Sequence, residues 1–300
     1  MFFTDILTYS TTRVQCGTSS GQLSTGTAFA MLLGVSAESS IPVLVTNRHV
    51  VAGATRGKFW LTLKKANEEV PDVGKHHSFE LDNFAARWLL HPTLDLAVMP
   101  INSLIEEALA RGHSYFFSPL APELIPTVAE LADLPALLDV VLVGYPNGLW
   151  DEKNNQPIFR RGITATHPEL DYNGKPEFLI DAACFNGSSG SPVFLAEIGR
   201  TLSRSQGITI GPSRIKLLGI LYAGPQHLAT GEVVSVEIGS KLVAQTGIPN
   251  NLGIVISAKA LFDFEPLLRY LALHRKMPTR NELCPCESGK RFKACHGQLS

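Results

Sequence analysis

Five cysteines in 300 residues are too few, and too unevenly placed, for a secreted disulfide framework. Cys16 and Cys184 stand alone in the body and the other three crowd the C-terminus. Charged residues make up 18% of the chain and nearly cancel, to a net charge of −1, so no bulk attraction to nucleic acid or to a membrane surface is expected. No apolar run reaches the length of a transmembrane helix. Met1-Phe2-Phe3-Thr4-Asp5 has no basic residue, and Asp5 interrupts an already short apolar segment, so a secretory leader is not expected either. Together these absences point to a reducing cytoplasm.

Helical periodicity is also scarce. Residues 102–112, with Ser103 as the expected cap, Glu106 and Glu107 early and Gly112 at the end, predict one helix. The amphipathic stretch 257–274 predicts another, and the proline-rich stretch 118–135 between them reads as a surface insertion. Apolar and β-branched runs punctuated by Gly and Pro dominate instead. They predict strands at 27–33, 43–46, 58–63, 96–101, 140–144, 162–166, 177–180, 192–195, 216–221 and 252–256.

Three segments carry chemistry. Gly187-Ser188-Ser189-Gly190 is a turn able to expose a hydroxyl and aim backbone N–H groups at a carbonyl. A serine is a weak nucleophile near neutral pH, so it needs a base and a group that orients the base. The run Val43-Leu44-Val45-Thr46-Asn47-Arg48-His49 ends a β-branched strand in an imidazole. Leu94-Asp95-Leu96-Ala97-Val98 sets a carboxylate at the start of an apolar strand, where burial would be costly without a partner. His76, His77, His113, His167 and His227 have no such context and read as surface or loop residues.

In the order His49, Asp95, Ser189, with spacings of 46 and 94 residues, these blocks resemble those of the trypsin/chymotrypsin-like serine peptidases of the PA clan. Any one block could arise by chance, whereas three in family order are specific. The resemblance implies a mainly β protein with a double six-stranded antiparallel β-barrel and a C-terminal helix. The chain is long enough for such a domain of roughly 200 to 250 residues plus an appendage. It also implies serine endopeptidase activity on protein or peptide substrates. His49 would be general base and acid, Asp95 its orienter and Ser189 the nucleophile, with the N–H groups of Gly187 and Ser189 as oxyanion hole. The primary pocket would involve Ala183, six residues before the serine, and a strand containing Tyr222 and Gly224. Neither segment offers a buried carboxylate, which favours a small or medium apolar side chain over a basic one. Two positions depart from the family: Ser188 replaces an acid or amide, which removes the partner for a zymogen-type amine switch, and Ser191 replaces a glycine.

The C-terminal cysteines form a second pattern. Cys284-Pro285-Cys286, then eight residues, then Cys295-His296 offers four soft or borderline donors, a closed tetrahedral set suited to structural Zn²⁺ with no position left for a catalytic water. So short a segment would depend on the metal to fold. With Arg280-Asn281, Ser288-Gly289-Lys290, Phe292-Lys293 and Gly297 it resembles the SEC-C zinc motif, departing at Glu287, where that family has Gly. The expected division is a peptidase domain over 1–275 and the motif over 276–300. From Arg275 onward six Lys or Arg stand against two Glu, a formal +4 that leaves −5 on residues 1–274. A basic knuckle implies docking to an acidic protein surface, with nucleic acid a lesser alternative and a binding protein on a peptidase scaffold the alternative to an enzyme.

Overall fold

The computed structural model describes residues 3–36, 38–224, 226–233, 242–249 and 251–297, with backbone alone for 3, 223, 226–233 and 242–249. Helix α1 (Phe3–Ser10) leads into β1 (Thr11–Gly17), β2 (Leu23–Gly34), β3 (Ser40–Thr46), the one-turn helix α2 (Arg48–Val51), β4 (Arg56–Lys64), β5 (Pro71–Asp82), β6 (Leu89–Leu90), β7 (Ala97–Pro100), α3 (Asn102–Ala110) and β8 (Tyr115–Phe116). These eight strands form one sheet in the order β5-β4-β1-β2-β3-β7-β6, with β8 on β4.

Helix α4 (Val128–Asp133) precedes β9 (Asp139–Gly144), β10 (Ile158–Thr164), β11 (Glu177–Asp181), β12 (Pro192–Glu197), β13 (Arg200–Ser203), β14 (Gly207–Ile210), β15 (Arg214–Ala223), β16 (Gln226–Val233), β17 (Leu242–Pro249) and β18 (Leu252–Ser257). Six of them close a barrel in the order β10-β11-β18-β15-β12-β9, while β13–β14 and β16–β17 are separate hairpins. The mainly β architecture with a six-stranded barrel and a C-terminal helix is the expected one. Among the described residues the first half carries eight strands rather than the six the resemblance implies, β6 and β8 being strands of two residues, and β1 and β5 are not among the strands expected from the sequence pattern.

Strand alternation explains how the halves join. On β2, Phe29, Met31 and Leu33 face a core shared with Phe194, Leu217 and Ile256 of the second half, whereas Ala28 and Ala30 face a core internal to the first. The same period of two sends Val43 and Val45 to the shared core and Leu44 the other way.

Three helical or linker expectations are corrected. The stretch 118–135 is no surface insertion: Leu120 and Ile125 are buried in the shared core, Leu131 and Leu134 in the barrel core, and Leu120 exchanges backbone bonds with β2. Its α4 is fixed by a reciprocal Thr127–Glu130 capping box. The stretch 257–274 divides into a 3₁₀ segment, Ala258–Phe264, and α5 (Glu265–His274), because Pro266 has no N–H to donate and starts a helix instead of continuing one. Ser103 does not cap α3, whose N-cap position is Ile101 without a side-chain bond.

The histidines outside the motifs divide. His77 stacks on His113 at 4.8 Å and bonds Tyr115 Oη at 2.9 Å through Nδ1, and burial lowers its pKa. His167 is largely buried against the Leu134 carbonyl at 2.9 Å, so it is no simple surface residue. The side chain of His227 lies outside the described residues.

Candidate active site

His49 sits in α2, which follows β3 after the single residue Asn47. Asp95 lies in the turn between β6 and β7, adjacent to β3 through the β3–β7 ladder. The carboxylate accepts the His49 backbone N–H at Oδ1 (2.9 Å) and faces His49 Nδ1 at Oδ2 (2.5 Å). A neutral imidazole donating from Nδ1 leaves its lone pair on Nε2. Asn47 Nδ2 donates to the Asp95 carbonyl at 2.9 Å and so fixes the turn from the histidine side.

Ser189 comes from the turn before β12. Its Oγ lies 3.4 Å from the Tyr222 carbonyl and, among the described residues, forms no hydrogen bond to His49. In the same turn the N–H groups of Ser188 and Gly190 donate to the carbonyls of Phe185 (3.0 Å) and Leu221 (2.8 Å). Those of Gly187 and Ser189 donate to no described protein acceptor, an alternation that leaves two neighbouring donors available for a ligand.

Glycine is required at two places in this turn. Gly187 has φ +83° and a Cβ there would meet the Tyr145 carbonyl at 2.6 Å, while Gly190 has φ +86° and its Cβ would meet the Thr27 carbonyl at 1.9 Å. The serine at 191 fits because β9 offers Gly144 opposite it: a Cβ at Gly144 would lie 2.1 Å from Ser191 Oγ. Ser188 is buried and its Oγ has no described partner.

Thr27 is the residue that sequence reading missed. Its N–H donates to the Ser189 carbonyl (2.9 Å) and its hydroxyl to the Gly187 carbonyl (2.9 Å). The same hydroxyl accepts from Tyr145 N (3.1 Å), and its own carbonyl accepts from Thr46 Oγ1 (2.6 Å), three residues before His49. One threonine therefore ties the serine turn to the histidine strand. Its partners are too far away in sequence for any local pattern to show this.

The expected pocket residues occupy one side of the serine turn. Ala183 and Tyr222 are half-buried and Gly224 is exposed. Tyr222 Oη donates to Glu177 Oε1 at 3.0 Å, and burial, followed by the Glu177 bond and charge, pushes the phenol up to about 12. Cys184 closes the space between these segments: a Cβ on Gly224 would lie 3.2 Å from the Cys184 Cβ. Burial raises its thiol to about 11. The Arg160 guanidinium lies 5.0 Å over the Phe185 ring, with Nη1 buried and without a described partner, so a positive charge stands beside Cys184 and Phe185 while the Glu177 carboxylate stands beside Tyr222.

Cys284, Cys286, Cys295 and His296 bring one ligand atom each within 4.8 Å of one another. His296 Nδ1 lies 3.2 Å from Cys284 Sγ and 3.4 Å from Cys295 Sγ, and the Cys286 and Cys295 sulfurs are 3.5 Å apart. Tetrahedral Zn²⁺ bonds of about 2.3 Å to sulfur and 2.0 Å to nitrogen require separations of roughly 3.8 and 3.6 Å, so small shifts satisfy the ion. Burial, reinforced by His91, lowers His296 to about 4, which keeps it in the neutral form a metal takes. Glu287 adopts φ +60°, the left-handed conformation that explains the family glycine.

A family pattern described as a SEC-C motif matches residues 280–298. A 58-residue match, 40% identical, links 19% of the chain to the protein translocase subunit SecA of Pelodictyon phaeoclathratiforme (strain DSM 5477 / BU-1), and spans 6% of that protein's length. Among solved structures, the HtrA-type protease AlgW with tripeptide shares 18% identity (TM-score 0.47, 89% of this chain, 62% of that one). The serine endoprotease from Yersinia pestis shares 15% (TM-score 0.44, 89% and 65%). A pattern described as a trypsin-like peptidase domain matches residues 26–202, more than half of the chain and the span holding His49, Asp95 and Ser189. The chain belongs to the trypsin-like serine peptidase family.

Proposed function

We propose that the chain is a serine endopeptidase in which His49, Asp95 and Ser189 form the catalytic triad. The observation that carries this is the double bond of Asp95 to the His49 backbone and ring, which leaves His49 Nε2 as a base. His49 takes the Ser189 proton as Oγ attacks the scissile carbonyl. Asp95 stabilises the resulting imidazolium. The N–H groups of Gly187 and Ser189, which donate to no acceptor among the described residues, receive the oxyanion, each donor contributing on the order of 3 kcal/mol. His49 then protonates the leaving amine, and water retraces the path to release the acyl group. Ser189 Oγ must leave the Tyr222 carbonyl, 3.4 Å away, to give its proton to His49.

The positive charge of Arg160 beside Cys184 and Phe185 disfavours a basic residue before the scissile bond, which leaves small or medium apolar residues as the expected preference. Cleavage of a peptide library should show that preference and vanish in Ser189→Ala. Dominant cleavage after Arg or Lys would overturn the pocket assignment. The position of Ser189 Oγ favours one second reading, a peptidase scaffold that binds without turnover. Complete absence of hydrolysis in the presence of every candidate partner would support it.

Cys284, Cys286, Cys295 and His296 would hold a structural Zn²⁺, whose charge keeps the thiolates deprotonated when bound. Reduced thiols at this site suit a reducing compartment. Lys290, Arg291 and Lys293 are exposed on the outer side of the knuckle, which suits an acidic protein partner.

A further inference from the structure

The knuckle does not stand apart from the body. Cys284, Phe292 and Cys295 are buried in the same apolar cluster as Phe264 and Leu268, and that cluster includes Leu89 and Leu96, which flank the turn bearing Asp95. Between knuckle and turn lies His91, 4% exposed and outside the triad. Its ring stands edge-on to His296 (centroids 6.3 Å) and to Phe264 (5.6 Å), and Phe264 in turn meets His296 at 6.0 Å. His91 Nε2 bonds Asp263 Oδ2 at 3.0 Å, and its Nδ1 accepts the N–H groups of Leu94 (3.0 Å) and Thr93 (3.3 Å). The His91 N–H closes the turn on the Leu96 carbonyl at 2.9 Å. A continuous set of contacts thus runs from a metal-ligand ring to the backbone immediately before Asp95.

We propose that the C-terminal knuckle braces the catalytic aspartate turn from within the same chain, with His91 as the positioning residue between them. Two amides of the turn, those of exposed Thr93 and half-buried Leu94, find their acceptor on one buried ring, and that ring is held by His296, Phe264 and Asp263. Folding of the knuckle around its metal fixes His296, and through it the ring of His91. Loss of the metal frees His296 and loosens the turn, so the tail acts on the peptidase site without touching substrate. This rests on the triad reading for its consequence in catalysis, although the contact itself does not.

Hydrogen exchange on the full chain separates the two. In the zinc-loaded protein the Thr93 and Leu94 amides should be protected. Removing the metal with a chelator should raise their exchange at least about tenfold while amides of β9 and β10 stay unchanged. Unchanged exchange at Thr93 and Leu94 after verified metal loss would overturn the brace. If metal removal unfolds the whole chain, the loaded variants decide. His91→Asn keeps an acceptor near Nδ1 and should retain protection of the turn. His91→Gln keeps a donor toward Asp263 but loses that acceptor, so exchange should rise and kcat fall roughly tenfold or more with KM within about twofold. Equal behaviour of the two variants would refute the positioning role. An inactive wild type would leave these exchange results interpretable and would count against the triad reading alone.

Discussion

The two halves of the molecule contribute to the site in different states of readiness. The first half presents His49 and Asp95 already joined, with Asn47 securing the aspartate turn and His91 and the knuckle packed behind it. The second half presents Ser189 on a turn whose backbone is held but whose hydroxyl rests on the Tyr222 carbonyl. The contrast has a simple origin. A carboxylate near a core needs bonded partners to be there at all. A serine hydroxyl turns about one bond at little cost, so it is the natural element to leave free until substrate arrives.

Damage to the prepared half should be the most severe. Asp95→Asn should lower kcat by about 10⁴ with KM little changed, because the ring loses the partner that sets its tautomer. Steady-state hydrolysis of a cleaved peptide checks this. In the other half, Gly187→Ala forces a Cβ to within 2.6 Å of the Tyr145 carbonyl at φ +83°. Turning that peptide away should remove one oxyanion donor and reduce kcat by about 10² to 10³. A loss as large as that of Asp95→Asn would erase the proposed asymmetry.

Cutting the tie between the halves should have a smaller effect. Thr27→Val keeps the shape but strips the hydroxyl from the Gly187 carbonyl and Tyr145 N–H. The expected cost is about 1 to 3 kcal/mol of stability, measured by denaturant unfolding, with a several-fold fall in kcat. Smallest of all is Glu287→Gly, which relieves the φ +60° position in the knuckle. It should raise stability by up to about 1 kcal/mol, seen as a higher melting temperature of the zinc-loaded chain.

What the sequence discloses follows what is local. His49, Asp95 and Ser189 each stand within a short block whose chemistry can be read along the chain, and the four knuckle ligands lie within thirteen residues. Apolar runs such as those of β2 and β12, buried on both faces, could be read too. Thr27 could not, because its role depends on Thr46 and on Gly187, 19 and 160 residues away. His91 was hidden for the same reason: its partners, Asp263 and His296, come from the far end of the chain. The stretch 118–135 misled because prolines suggest exposure, whereas Leu120 and Ile125 enter the core shared by the halves and Leu131 and Leu134 the core of the barrel.

The most direct test is labelling of the intact protein with a fluorophosphonate, which reports an activated serine whatever the natural substrate. The triad should give one label per chain at Ser189, absent in Ser189→Ala and reduced at least about a thousandfold in rate in His49→Ala. Labelling at another serine, or at Ser189 with a rate unaffected by His49→Ala, would contradict it.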